Sequence, residues 1–357
     1  MPNTQDPIQD LDRYGRPGFI TRGDIILRCN ADARSMLLTE GTDVKPLLGP
    51  LWSLVETMGD GEFYASLAVA GTARQACISK ITGGYLFLLE ALEDESSLQA
   101  MALAAQQLRG PLNETLLTIN LLEKVLPANN EEASSAMCLL RRSFCQLRQI
   151  TDNMSAGHEY LDAPMFFREP TELREFFDEL FQTAVTLTEP MGKTITFHAS
   201  CKELIAHIDR QAVERCVYNI LSNALKFLPK DGHIHAELLS TASHAILRVT
   251  DNGSGLPKEI RDNLFTRYRR RPTIEDGRHG LGLGLYIVRS IVAAHGGAVY
   301  AGTSSSGGTE ITISLSRRSS LPNSVNSLVF MPEVRGLMEM GKTELSELLP
   351  VCSYENL

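Results

Sequence analysis

Asn219, Asn223 and Lys226 stand at i, i+4 and i+7, so a helix over 210–228 puts them on one face. Two amide oxygens and an ammonium at that spacing suit a magnesium–triphosphate group. The hard cation takes oxygen ligands, and lysine offers phosphate a point charge. Val217, Ile220, Leu221, Ala224 and Leu225 supply the side of the helix that would be buried. Three further motifs follow. Asp251-Asn-Gly-Ser-Gly255 closes an apolar strand over 245–250; its carboxylate can accept a hydrogen bond from an exocyclic amine. Gly253 and Gly255 let the backbone approach a flat ring closely. Leu264-Phe-Thr-Arg-Tyr268 precedes Arg269-Arg-Arg271, giving aromatics for a lid, Tyr268 among them, and arginines, Arg270 among them, for phosphate. Gly280-Leu-Gly-Leu-Gly-Leu285 runs into a helix over 285–295. Gly280, Gly282 and Gly284 thereby leave backbone N–H groups for phosphate oxygens at a helix N-terminus. Thr309, after Gly307-Gly308, adds a hydroxyl that can join Asp251 at the ring. Taken singly, each motif also fits a plainer role: a solvated helix face, an Asn-Gly turn, a charged surface run or a Gly-rich loop.

Other elements must hold these groups in place. The 357 residues allow two or three domains. A hydrophobic share of 43% and a charged share of 22% are those of an ordinary globular chain. The net charge of −9 disfavours a nucleic-acid binder. No stretch has the ~18 apolar residues of a membrane span, and residues 1–12 are polar and acidic, unlike a signal peptide. A cytoplasmic protein is expected. Seven scattered cysteines without a Cys-x-x-Cys pair indicate reduced thiols.

Residues 1–17 form a loose lead-in. Over 18–95, short apolar runs at 19–20, 24–27, 62–69, 75–81 and 85–90 predict strands, with short helices at 30–38 and 44–58 between them. From Ser96 the period changes. Leu98, Met101, Ala105, Leu108, Leu112, Thr115, Ile119, Leu122 and Leu126 form an a/d seam, capped by Ser96 or Ser97 and kinked at Pro111. A second seam uses Ala136, Leu140, Phe144, Leu147, Ile150 and Met154. The two make an antiparallel hairpin over 96–162, and one hairpin has few layers to cover its own stripe. A homodimer with a four-helix bundle is therefore expected. Over 170–317 the elements are a helix at 171–188, a strand at 194–198, the helix of Asn219, strands at 233–239 and 245–250, a helix at 285–295, and strands at 298–301 and 310–315. Residues 318–357 show one apolar stretch, 328–338, and read as a docking segment or a disordered tail.

The order and spacing of the four boxes, with His295-Gly-Gly297, resemble the ATP-binding domain of bacterial sensor histidine kinases, in the superfamily that includes DNA gyrase. The resemblance covers about 171–317 and extends through the hairpin to Ser96; residues 18–92 resemble a PAS sensor domain. It implies an α+β multidomain chain: a PAS-like α/β sensor, a helical hairpin, and an α/β sandwich that binds ATP and Mg2+. By the same resemblance Asn223 and Asn219 serve Mg2+ and phosphates, and Lys226 serves phosphates. Asp251 reads the adenine amino group with Thr309 nearby, and Gly253 and Gly255 line the base pocket. Tyr268 belongs to the lid hinge, and Gly280, Gly282 and Gly284 hold the triphosphate. Leu281 stands where many relatives have a small hydroxyl residue, with little effect expected. A response regulator or an active sensor kinase is the implied partner.

One position departs from the pattern. The family carries its phospho-acceptor in His-Glu/Asp-Leu-Arg-x-Pro-Leu, and this chain reads Gln106-Gln-Leu-Arg-Gly-Pro-Leu112. The amide nitrogen of Gln106 is delocalised into its carbonyl and cannot replace imidazole as a nucleophile. Gln107 removes the neighbouring carboxylate as well, and all eight histidines lie at or after His158. The expectation is Mg-ATP binding without autophosphorylation at the usual place. Transfer to a partner's Ser or His, or a non-catalytic scaffold, are the alternatives.

Overall fold

The computed structural model describes residues 11–90, 95–126, 130–159, 167–256, 264–265, 282–317 and 336–354. Tyr268, Arg270, Gly280 and Leu281 lie outside these residues.

The N-terminal part contributes strands β1 (Gly18–Arg22), β2 (Ile25–Cys29), β3 (Glu62–Val69), β4 (Thr72–Ile81) and β5 (Gly84–Leu89). Short helices α1 (Ala31–Ser35), α2 (Lys45–Leu48) and α3 (Trp52–Glu56) lie between β2 and β3. Asn30 caps α1: its Oδ1 accepts from the Ala33 amide at 2.9 Å and from the Gly18 amide at 3.0 Å, tying helix to strand. Phe19, Ile26, Val44, Val55, Ile78 and Phe87 are fully buried together beneath these helices.

Two long helices follow, α4 (Glu95–Val125) and α5 (Glu131–Glu159), packed as a hairpin. α4 already includes Ser96 and Ser97, so neither is its cap, and it continues through Pro111. The carbonyl that loses its donor, on Gln107, belongs to an exposed residue where water can satisfy it. The predicted seam is only partly buried within one chain. Ala105, Ile119 and Phe144 are buried, but Leu108, Leu122, Leu140, Leu147 and Ile150 are exposed.

The last region contains β6 (Glu169–Glu172), α6 (Leu173–Thr188), β7 (Thr194–Ala199), β8 (Ile205–Ile208), α7 (Arg210–Phe227), β9 (His233–Ser240), β10 (His244–Asp251), α8 (Gly284–Ala294), β11 (Ala298–Thr303) and β12 (Thr309–Ser316). β6 and β8 pair with each other and were not foreseen. Each has four residues, too few to show an alternation. β11, β12, β10, β9 and β7 form one sheet, covered by α6, α7 and α8 through a core that includes Phe177, Leu180, Val213, Leu221, Ile234, Leu238, Ile287 and Ile313.

That sheet does not stop at β11. β3 pairs antiparallel with β11, in register Ala298↔Ala65 to Ala301↔Glu62, so the two regions share one ten-stranded sheet in the order β2-β1-β5-β4-β3-β11-β12-β10-β9-β7. A final helix, α9 (Leu337–Glu344), and a 3-10 turn (Val351–Tyr354) pack against α5, α6 and α7.

Candidate functional site

α7 is started by Asp209, whose Oδ1 accepts from the Ala212 amide at 3.0 Å. His295, just past α8, accepts from the Asp209 amide at Nε2 (3.1 Å) and donates from Nδ1 to the Ile291 carbonyl (2.7 Å). This fixes the tautomer and ties the start of α7 to the end of α8. Burial lowers the His295 pKa to about 4, so the ring is neutral and structural at pH 7.

On α7, Asn219 Nδ2 donates to the Arg215 carbonyl at 2.9 Å, and Asn223 Nδ2 donates to the Asn219 carbonyl at 2.9 Å. Each amide is held by the turn before it, which leaves its oxygen as the acceptor for a ligand. Gly284, at the first turn of α8, meets this face directly. A Cβ there would lie 2.6 Å from Asn219 Oδ1, so glycine is the residue that lets α8 approach. Gly282 has φ +71°, which turns the chain into α8. The N-cap position, Leu283, makes no side-chain hydrogen bond, so the first-turn N–H groups of α8 have no side-chain cap.

Asp251 ends β10 at the other side of the cradle. Its Oδ1 accepts from the amides of Gly253 (2.8 Å) and Thr309 (3.0 Å). Its carbonyl accepts from Ser304 Oγ at 3.2 Å. A Cβ on Gly308 would fall 2.0 Å from that carbonyl, so the turn before β12 closes only around glycine. One on Gly255 (φ +69°) would fall 2.7 Å from the Gly307 carbonyl. Asp251, Gly253, Gly255 and Thr309 thus meet at one end of the sheet. Lys226 lies one turn beyond Asn223 on α7. Gln106 and Gln107 are exposed on α4.

Sequence reasoning missed several neighbours. Arg215, one turn before Asn219, is buried and its Nε pairs with Glu344 Oε1 at 3.1 Å. Asn219 Nδ2 also donates to Glu344 Oε2 at 3.1 Å, and Lys226 pairs with Glu347 at 2.8 Å. Phe265, in the third motif, is fully buried and its ring lies 4.6 Å from that of Tyr64 on β3. Nothing local in the sequence marks these partners.

Residues 208–319 match the family described as Histidine kinase-, DNA gyrase B-, and HSP90-like ATPase. Among curated proteins, Sensor histidine kinase TmoS of Ectopseudomonas mendocina is 36% identical over 126 residues, covering 34% of this chain and 13% of that protein. Adaptive-response sensory kinase SasA of Gloeothece citriformis is 24% identical over 220 residues, covering 57% of this chain and 53% of that one. Residues 208–319 thus carry an ATPase domain of the histidine-kinase type, and the chain is similar to sensor histidine kinases. This sensor histidine kinase relative spans less than two thirds of either of those proteins. Its fold is also that of full-length ShkA, crystallised in complex with AMPPNP: TM-score 0.50, 22% identity, 61% of this chain and 45% of that one. No helix among the described residues is long and apolar enough to cross a membrane.

Proposed function

We propose that this chain binds ATP with Mg2+ between α7, α8 and the Asp251 end of the sheet, and signals without phosphorylating itself at the usual hairpin position. The observation that carries the reading is the pairing of two anchored amides with a tight glycine contact. Asn219 and Asn223 use their N–H groups on backbone carbonyls, and Gly284 brings an uncapped helix N-terminus against them. Oxygen acceptors beside backbone N–H groups that lack a side-chain cap fit a hard cation and the phosphates it bridges.

In this reading Asn219 and Asn223 hold Mg2+, and Lys226 with the amides near Gly282 and Gly284 takes the triphosphate. Bound magnesium screens the charges of neighbouring phosphates. Asp251 has Oδ1 committed to the backbone, which leaves Oδ2 for the adenine amine, with the Thr309 hydroxyl beside it. Gly253 and Gly255 line the ring. Tyr268, Arg270 and Gly280 keep the lid and phosphate roles that the family resemblance gives them. Residues 18–95 are read as a PAS-like sensor, 96–162 as the dimerisation hairpin and 170–317 as the ATP-binding domain. The exposed leucines of α4 support a homodimer: Leu117 and Leu121 are 63% and 62% exposed in one copy. The proposed partner is a response regulator or an active sensor kinase.

Incubation with labelled Mg-ATP tests the reading. Native chain should bind nucleotide and stay unlabelled, Gln106→His should gain acid-labile label, and Asn223→Ala should lose binding. Acid-labile phosphate on the native chain would refute it. Transfer to a partner protein, abolished by Asn223→Ala, would instead mark a phosphotransferase with another acceptor.

A further inference from the structure

The charged groups that face the cradle from α7 are already engaged, and by the same short segment. Glu344, at the end of α9, is 1% exposed. Its two carboxylate oxygens accept from Arg215 Nε and Asn219 Nδ2, each at 3.1 Å. Glu347, one turn on, pairs with Lys226 at 2.8 Å. Carboxylate oxygens therefore sit on Lys226, which the nucleotide reading assigns to the triphosphate, and on the amide N–H of Asn219, whose oxygen it assigns to Mg2+. A carboxylate and a phosphate present the same chemistry to such donors: anionic oxygen acceptors.

The segment is anchored for this. Leu345, Ser346, Leu349 and Tyr354 are fully buried. Gly341 lies so close to α6 and α7 that a Cβ would fall 2.5 Å from Leu187 Cδ1 and 2.8 Å from the Tyr218 ring. Tyr218 Oη donates to the Leu337 carbonyl at 3.2 Å. On the other side α5 holds the C-terminal end of α9. Gln149 Nε2 donates to the Glu344 carbonyl at 2.8 Å, and Arg142 Nε and Gln146 Nε2 donate to the Ser346 carbonyl at 3.2 and 3.3 Å. Donors at a helix C-terminus satisfy its orphan carbonyls and complement its dipole. Arg148 pairs with Glu339 at 2.9 Å. The segment thus bridges the hairpin and the ATP-binding region while covering part of the cradle.

We propose that residues 336–354 are an intramolecular competitor of the nucleotide phosphates, with Glu344 and Glu347 occupying the Arg215, Asn219 and Lys226 groups until Mg-ATP displaces them. The competition is one-sided. Among the described residues Asp251, at the base end, takes no bond from the segment, so occlusion falls on the phosphates and spares the adenosine part. Release would also remove the bridge that the segment makes between α5 and α7, leaving their direct bond from Arg215 Nη2 to Asn153 Oδ1 (2.7 Å). A segment docked in about nine molecules of ten lowers the apparent affinity of its competitor by ~10-fold.

The proposal rests on the reading of this site as an Mg-ATP cradle, and titration calorimetry of the full chain separates the two. The double variant Glu344→Gln with Glu347→Gln removes both charges and keeps the shapes. Gly341→Val unseats the segment sterically through Leu187 and Tyr218 and leaves the side chains of Asn219, Asn223 and Lys226 unsubstituted. Both should bind Mg-ATP ~10-fold more tightly than native chain, with adenosine affinity unchanged. Hydrogen exchange over 337–349 should be slow in native chain and accelerate on adding Mg-ATP. Equal Mg-ATP affinity in native chain and both variants would overturn the competitor while leaving the nucleotide reading intact. Absence of Mg-ATP binding in all three would overturn the nucleotide reading and the competitor with it.

Discussion

The ATP-binding region is gripped from both ends of the chain, by unlike physics. At β3 and β11 the grip is backbone: four residue pairs in a continuous antiparallel ladder. Its side chains cross over, for Ala298 packs into the N-terminal core while Tyr64 and Cys77 pack into the core of the ATP-binding region. One ion pair, Arg289 with Glu90, is added at its edge. At α7 the grip is made by carboxylates on Arg215, Asn219 and Lys226. A sheet ladder has no competitor among small solutes. A carboxylate on a group proposed to bind phosphate does. The first attachment is suited to hold and to transmit, the second to let go. The tilted ring contact of Phe265 with Tyr64 places the N-terminal attachment next to the third motif, so a shift in β3 reaches Phe265 through direct contact.

The hairpin sharpens this contrast most. α5 turns Cys138, Arg141, Cys145, Arg148 and Gln149 inward, and the residues that contact the C-terminal segment come from that face, whereas Leu140, Leu147 and Ile150 point outward. The two jobs should separate. Leu117→Asp with Leu121→Asp is expected to turn the proposed dimer into a monomer in sedimentation experiments. Each lost leucine contact is worth about 1.5–3 kcal/mol. Hydrogen exchange over 337–349 should stay as slow as in native chain.

Breaking the ladder comes next. A Cβ on Gly61 would lie 2.3 Å from the Ala301 carbonyl, a backbone atom that cannot swing away. Gly61→Val should cost roughly 1–3 kcal/mol in thermal or denaturant unfolding. The Glu344 contacts, made on another face, should survive it. Loss of both attachments together would show that they form one cooperative unit.

The smallest effect concerns α7 itself. Glu214 is buried beside Arg215, and burial pushes its carboxyl from 4.5 up to about 7. Folding therefore favours the protonated acid. The stability this group contributes is full below about 4.5 and is lost as pH rises through 7. Glu214→Gln should raise unfolding free energy by roughly 1–3 kcal/mol at pH 8 and give no such gain at pH 4.5. A pH-independent effect would place the cause in packing instead.

Strand and helix periodicity carried most of the local structure. β3, α7 and β10 lie within one or two residues of their predicted spans, because each is long enough to repeat its pattern. The α5 seam residues Leu140, Leu147 and Ile150 are exposed within one chain, and the sequence reading leaves that stripe for a second copy to cover. A periodicity shows that a helix has an apolar side, without showing whether its own chain or another covers that side. The same limit hid the role of 336–354. The acidic residues Glu339, Glu344 and Glu347 are plain in the sequence, but their partners lie about 120 to 190 residues away.

The sequence by itself determined the four boxes, their resemblance to the histidine-kinase ATPase domain and the presence of Gln106 in the hairpin motif, because each is a matter of residue type at short spacing. Only the tertiary structure decided that the N-terminal and ATPase-domain strands join in one sheet, and that Glu344 and Glu347 sit on Asn219 and Lys226. Strand pairing and charge pairing depend on which surfaces meet, and distant surfaces leave no periodic trace along the chain.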